Sequence, residues 1–141
     1  MAELPRFELF EHTADLGVRV CAPSRAELIT PATAGLYAAI GEVVANGPGE
    51  AWSCAVSGDE PVLLLRDYLA EVLQLFEREH RRLAHVEVQE FTDTRLSVTG
   101  ESCLVDMGRS VLVREIKAIT YHELALRRTA DGYEATWIVD I

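Results

Sequence analysis

The chain has 141 residues, 49% hydrophobic and 26% charged, a balance that suits one globular domain with a buried core and argues against disorder. Its formal net charge is −10, from 23 Asp and Glu against 13 Lys and Arg, and no basic run exceeds a pair (Arg81-Arg82, Arg127-Arg128). Affinity for nucleic acid rests mainly on neutralising phosphates, so this balance argues against the chain gripping RNA or DNA by itself and suits a basic protein partner, a metal ion or simple solubility.

In chain order, FELFEH (7–12) reads as a first strand. LGVRVCA (16–22) alternates, with Leu16, Val18 and Val20 on one face and Gly17, Arg19 and Cys21 on the other. Ser24 and Glu27 have the spacing of a capping box, in which each side chain satisfies the other's free backbone N–H. A helix is predicted over about 25–45, with Leu28, Ala32, Gly35, Leu36, Ala39, Ile40 and Val43 on its buried stripe and a kink or weak first turn at Pro31. NGPGE (46–50) reads as a loop and AWSCAVSG (51–58) as a strand. Asp59-Glu60-Pro61 opens a second helix, with Val62, Leu65, Leu69, Val72, Leu73 and Phe76 on one side. Residues 84–91 and 94–104 alternate as strands about the turn Thr92-Asp93-Thr94. After the loop 105–112, residues 116–128 and 133–141 form a hairpin around Asp131-Gly132.

Strand, strand, helix, strand, helix and then four strands is not a strict alternation of β and α. It predicts an α+β fold: a two-layer sandwich with two helices on a mostly antiparallel sheet, in a single domain spanning 1–141. Cys21, Cys54 and Cys103 are widely spaced with no C-x-x-C, which suits buried thiols in a reducing compartment. The start, MAELPRFELF, lacks the apolar run of a signal peptide, and Arg66, Asp67 and Glu71 interrupt the most apolar stretch, so no membrane association is expected and a cytoplasmic location is.

Chemistry-bearing residues gather at the two ends. His12 and Asp15 stand in EHTADLGVRV (11–20), where a strand begins; His12 suits a general base or ligand, or a hydrogen-bonded rim histidine, and Asp15 suits a ligand or the organiser of its turn. At the other end Asp140 adjoins the carboxylate of Ile141, two anions that repel unless water, a cation or a basic side chain neutralises them. Such oxygens suit a hard cation such as Ca²⁺ or Mg²⁺, and a solvated chain end equally. Lys117, entering a strand in REIKAIT, is either solvated or a phosphate or carboxylate partner. A triad such as Ser110, His122 and Asp140 is conceivable, but no spacing singles it out.

EHTADLGVRV (11–20), REIKAITYHEL (114–124), the ending IVDI (138–141) and RDYLAEVLQLFE (66–77) together resemble the archease family, in order and over essentially the whole chain. The resemblance implies a small acidic accessory factor, itself non-catalytic, that activates the GTP-dependent tRNA-splicing RNA ligase, which joins RNA ends bearing 3′-phosphate or 2′,3′-cyclic phosphate. It implies help with GMP transfer to the ligase and with repeated turnover, and a strand-helix-strand-strand fold. It also implies a divalent metal, calcium in the isolated protein with Mg²⁺ or Mn²⁺ in action, at Asp15, Asp140 and Ile141. Lys117 and His12 would then serve partner activation. Pro31 and the apolar lead-in VDMGRSVLVR (105–114) depart from the family pattern. Two other classes stand beside this reading: a metal-dependent hydrolase with His12 as base, and a passive protein-binding module or chaperone.

Overall fold

The computed structural model describes residues 4–12 and 15–141, the His12 side chain excepted. Strands β1 (Arg6–His12) and β2 (Asp15–Ala22) pair antiparallel, from Arg6 opposite Cys21 to His12 opposite Asp15. The predicted alternation holds, with Leu16, Val18 and Val20 buried in the core. The capping box is half made: Ser24 Oγ accepts the Glu27 N–H at 3.2 Å, but the Glu27 carboxylate takes the Ser24 hydroxyl at 2.8 Å. A 3₁₀ turn, Ala26–Leu28, leads into α1 (Ile29–Ile40). Pro31 thus lies in the first turn of the α-helix, where a backbone N–H has little to lose.

The first helix ends earlier than its apolar spacing predicts. Gly41 takes φ +147°, and a Cβ there would collide with the Val111 carbonyl oxygen. Gly41 belongs instead to β3 (Gly41–Glu42), which pairs with β7 (Val111–Leu112). Val43 is buried, but from beyond the helix. Residues 46–50 are also not a free loop. They lie in β4 (Ala45–Ser57) as a bulge, where the register against β6 (Arg95–Val105) jumps from Asn46–Leu104 to Glu50–Ser102.

Helix α2 (Pro61–Glu79) has Pro61 in its first turn as expected, but its N-cap is Glu60 and no side chain caps it. Its buried face is wider than predicted, adding Leu64, Tyr68 and Leu75, while Val62 and Phe76 are half-exposed. His80, at φ +54°, ends the helix and starts β5 (Arg81–Phe91), which turns through 92–94 into β6. The order β4-β6-β5 is wholly antiparallel, with α2 crossing from one edge to the other: a strand-helix-strand-strand unit.

The single strand expected at 116–128 is two. Strands β8 (Ala118–Ile119) and β9 (Ala125–Thr129) are separated by a turn in which Glu123 has φ +52°. Both pair with β10 (Gly132–Asp140), β9 along its start and β8 at its end. The resulting sheet runs β1-β2-β10-β8, with β9 also on β10. The fold is therefore the expected α+β arrangement of two helices on antiparallel strands, except that the strands divide into separate sheets.

Between these layers lies a core whose largest wholly buried side chain is Trp137. Two tyrosines tie its elements together: Tyr37 Oη of α1 accepts the Leu83 N–H of β5 at 2.8 Å, and Tyr68 of α2 shares a 2.7 Å hydrogen bond with Thr33 Oγ1 of α1. Burial pushes the Tyr37 phenol up to about 12 and the Tyr68 phenol further up. The unfolded chain releases these protons first, near pH 10, so their contribution to stability is complete below about pH 10 and is lost as pH rises through the folded value. Denaturant midpoints between about pH 8 and 11.5 should fall at the alkaline end, less steeply in Tyr37→Phe. Equal alkaline slopes in the wild type and Tyr37→Phe would contradict this.

All three cysteines are free, Cys21 and Cys103 buried and Cys54 half-buried. No helix among the described residues is long and apolar enough to cross a membrane.

Candidate functional site

The sheet register brings the two ends of the chain level. Strand β1 sets His12 opposite Asp15, the first residue of β2. Strands β2 and β10 pair up to Leu16 opposite Val139, and Asp15 and Asp140 are the next residues beyond that last pair. Strand β10 in turn sets Asp140 opposite Ala118 of β8. The pairs His12–Asp15 and Asp140–Ala118 thus lie at the same end of the sheet, just past the last β2–β10 pair, and extending that register would line them up as one row. The Lys117 N–H donates to the Asp140 carbonyl oxygen at 2.7 Å, so Lys117 adjoins the same row through its backbone.

The alternation of β2 and β10 decides which way these side chains face. Leu16 and Val139 belong to the core, so Asp15 and Asp140 lie on the opposite face. On that face the Phe10 ring lies over Gly17, where a Cβ would collide with it, and Arg19 stacks on the same ring at 4.8 Å. Ile138, opposite Gly17, is wholly buried beside this cover. Beyond it the surface opens: Asp15 is half-buried, while Lys117, Asp140 and Ile141 are exposed.

Among the described residues, no side-chain hydrogen bond or ion pair occupies Asp15, Asp140 or Lys117. No group of three or more His, Cys, Asp or Glu side chains suited to a metal ion occurs among them either. The predicted set supplies two aspartates and the Ile141 carboxylate, with the His12 side chain outside the described residues. Oxygen donors uncommitted to any other partner are the kind that hard cations take, so the donor set fits such an ion in chemical type.

One device that sequence reasoning missed holds this corner. Arg66 of α2 donates from Nε to the Ile119 carbonyl oxygen at 3.1 Å, and its guanidinium stacks on Tyr121 at 4.5 Å. In sequence it was only a charge interrupting an apolar run. In the fold it clamps β8, the strand that carries Lys117 to Asp140. Arg66→Ala should cost about 1 kcal/mol, the usual worth of one such hydrogen bond with modest stacking. It should also speed hydrogen exchange at the Lys117 and Thr120 amides, which bond to β10, while the Val18 amide stays protected. Unchanged exchange at Lys117 would show that the clamp is dispensable. Ser110, by contrast, accepts the Val44 N–H at 2.9 Å, a structural duty remote from a triad role.

The chain matches the model of the archease protein family (MTH1598/TM1083) over residues 7–141. It is 30% identical to the protein archease of Methanopyrus kandleri and 29% to that of Thermococcus gammatolerans, in both cases covering 96% of this chain and 99% of the relative. Its fold is similar to the solution structure of Methanobacterium thermoautotrophicum protein 1598, with TM-score 0.73 and 23% identity over 96% of this chain and 98% of that one. It is also similar to the crystal structure of a Thermotoga maritima protein described as an archease, possible chaperone, with TM-score 0.64 and 21% identity over 94% of each chain. The three short motifs at the ends of the chain and the four-strand row they form fall inside the matched span, and the chain belongs to the archease family.

Proposed function

We propose that this protein is a non-catalytic activator of the GTP-dependent tRNA-splicing RNA ligase, promoting GMP transfer to that ligase and its repeated turnover. We also propose that its acidic row holds a divalent cation, with calcium the ion of the isolated protein and Mg²⁺ or Mn²⁺ the ion in action. The observation that carries the reading is the shared row: two uncommitted aspartates from opposite ends of the sequence, level with one another, with Lys117 joined to one of them through the backbone. Asp15, Asp140 and the Ile141 carboxylate would hold the ion, which when bound supplies a compact positive charge for phosphate oxygens.

Lys117 adds a fixed positive charge that balances the carboxylates or steadies a phosphate, and His12 completes the activating row. The net charge of −10 argues against a direct grip on RNA and suits a basic surface on the ligase. A partner accelerates a step only by favouring the reactive state over the resting one, and a 100-fold gain asks for about 2.7 kcal/mol of such preference. The test is the rate of self-guanylylation of the ligase from the same organism, with GTP and Mg²⁺ or Mn²⁺, in the presence and absence of this protein. A large acceleration is expected. No acceleration of a demonstrably active ligase would remove the proposal.

A further inference from the structure

An open apolar groove lies between the end of α2 and the segment 107–116, with a volume of about 570 Å³. It involves none of the residues of the acidic row. Its floor is core: Ile40 and Ile116 are 2% exposed and Leu73 is buried. Its lip is the opposite. Met107 is 55% exposed, Leu112 44% and Val113 63%, and they sit together on a segment whose sequence already stood out as unusually apolar. Isolated exposed apolar side chains are ordinary; three adjoining ones over a concave apolar floor are not.

Charge decides what fits there. The rim carries Glu77 and Glu115, and neither has an ion pair among the described residues. The one guanidinium on the rim, from Arg114, is turned inward to donate to the Ala39 carbonyl oxygen at 2.7 Å. Two carboxylates against one guanidinium leave the groove net negative, on a chain whose net charge is −10. A second copy of this chain would bring the same two carboxylates and the same net charge against them. A segment with apolar anchors and lysine or arginine flanks would bury the lip and neutralise the rim together.

We infer that this groove is a docking site for a short segment of a protein partner with apolar anchors and basic flanks, separate from the acidic row. The inference does not depend on which enzyme the protein serves. It predicts that docking and activation divide between two surfaces of one small domain.

The probe is a synthetic helix-forming peptide with leucines at i, i+4 and i+7 on one face and lysines on the other, with a glutamate-for-lysine version as control. Binding is followed by backbone amide NMR shifts of the whole protein. Shifts from the lysine peptide should concentrate at residues 76–80 and 107–116. Val113→Asp, at an exposed position that leaves the core intact, should weaken binding about tenfold or more, as truncated anchors do. Glu77→Lys combined with Glu115→Lys should weaken the lysine peptide and admit the glutamate one. Shifts spread over the acidic surface, or equal affinity in Val113→Asp, would overturn the inference. So would concentration-dependent shifts at the groove without peptide, which would assign it to a second copy.

Discussion

Asp140→Asn should reduce stimulation of the ligase about 100-fold, to the unassisted rate, in a protein that folds as before. The two halves of this expectation have separate grounds. The Asp140 side chain is exposed and has no partner among the described residues, and the strand position is held by backbone bonds, among them the one from the Lys117 N–H. Replacing one carboxylate oxygen by an amide nitrogen keeps all of that, so stability should change by no more than about 0.5 kcal/mol. What it removes is one of the three carboxylates proposed to hold a divalent ion. Asp15→Asn should have the same phenotype, and the double variant should be little worse than either single one, because groups that act as a unit lose their effect together. Calcium affinity of the isolated protein should fall in step with stimulation. Full stimulation by both single variants would dismiss the acidic row. A passive chaperone, protecting clients through apolar contact, would be indifferent to either change.

Trp137→Ala should destabilise the fold by about 3–5 kcal/mol, a large part of the roughly 5–15 kcal/mol that holds a domain together. Trp137 is wholly buried opposite Val18 in the middle of the β2–β10 pairing, and its neighbours on β10, Ala135 and Val139, are buried as well. Truncation leaves a cavity that such close-packed elements fill only in part. A second variant isolates the contribution of volume. The indole N–H is buried without a hydrogen-bond partner among the described residues, a condition that costs about 1–3 kcal/mol in comparable cases. Trp137→Phe removes that orphan donor while keeping much of the ring, so it should cost far less than alanine. Urea midpoints measured for both variants test the pair of claims. Equal losses in the two would mean that the volume of the ring is not what holds this part of the core.

The strands were legible where one face is buried and the other wet, because the alternation of Leu16, Val18 and Val20 leaves a period of two in the sequence. The second helix was legible at its start, since proline is favoured in a helix's first turn and Pro61 follows two acidic residues. What was not legible was set by partners distant in sequence. The apolar spacing of the first helix continues to Val43; the helix stops because Gly41 must pair with Leu112. The NGPGE stretch has the composition of a loop, yet β6 recruits it into a bulged strand. The break at Glu123 divides one expected strand into two because both pieces must reach β10. For the site, periodicity told which face Asp15 and Asp140 occupy but not that they meet. That expectation came from the family resemblance in the sequence, and the β2–β10 register carries the two residues to the step just beyond its last pair. Arg66 left no trace in the sequence beyond a charge in an apolar run, since its role lies in the carbonyl of a strand it could not be known to touch.

The row that joins Asp15 to Asp140 has a thermodynamic consequence. No local segment contains it; it exists only while β1, β2, β10 and β8 are all docked. An ion bound there would be linked to the whole cooperative fold rather than to one loop, and at a hundred times its dissociation constant it would raise global stability by about 2.7 kcal/mol. The same linkage runs in reverse. A chain that has lost β10 from its sheet has also lost the row, so molecules able to act on a partner would be those whose ends have already found each other.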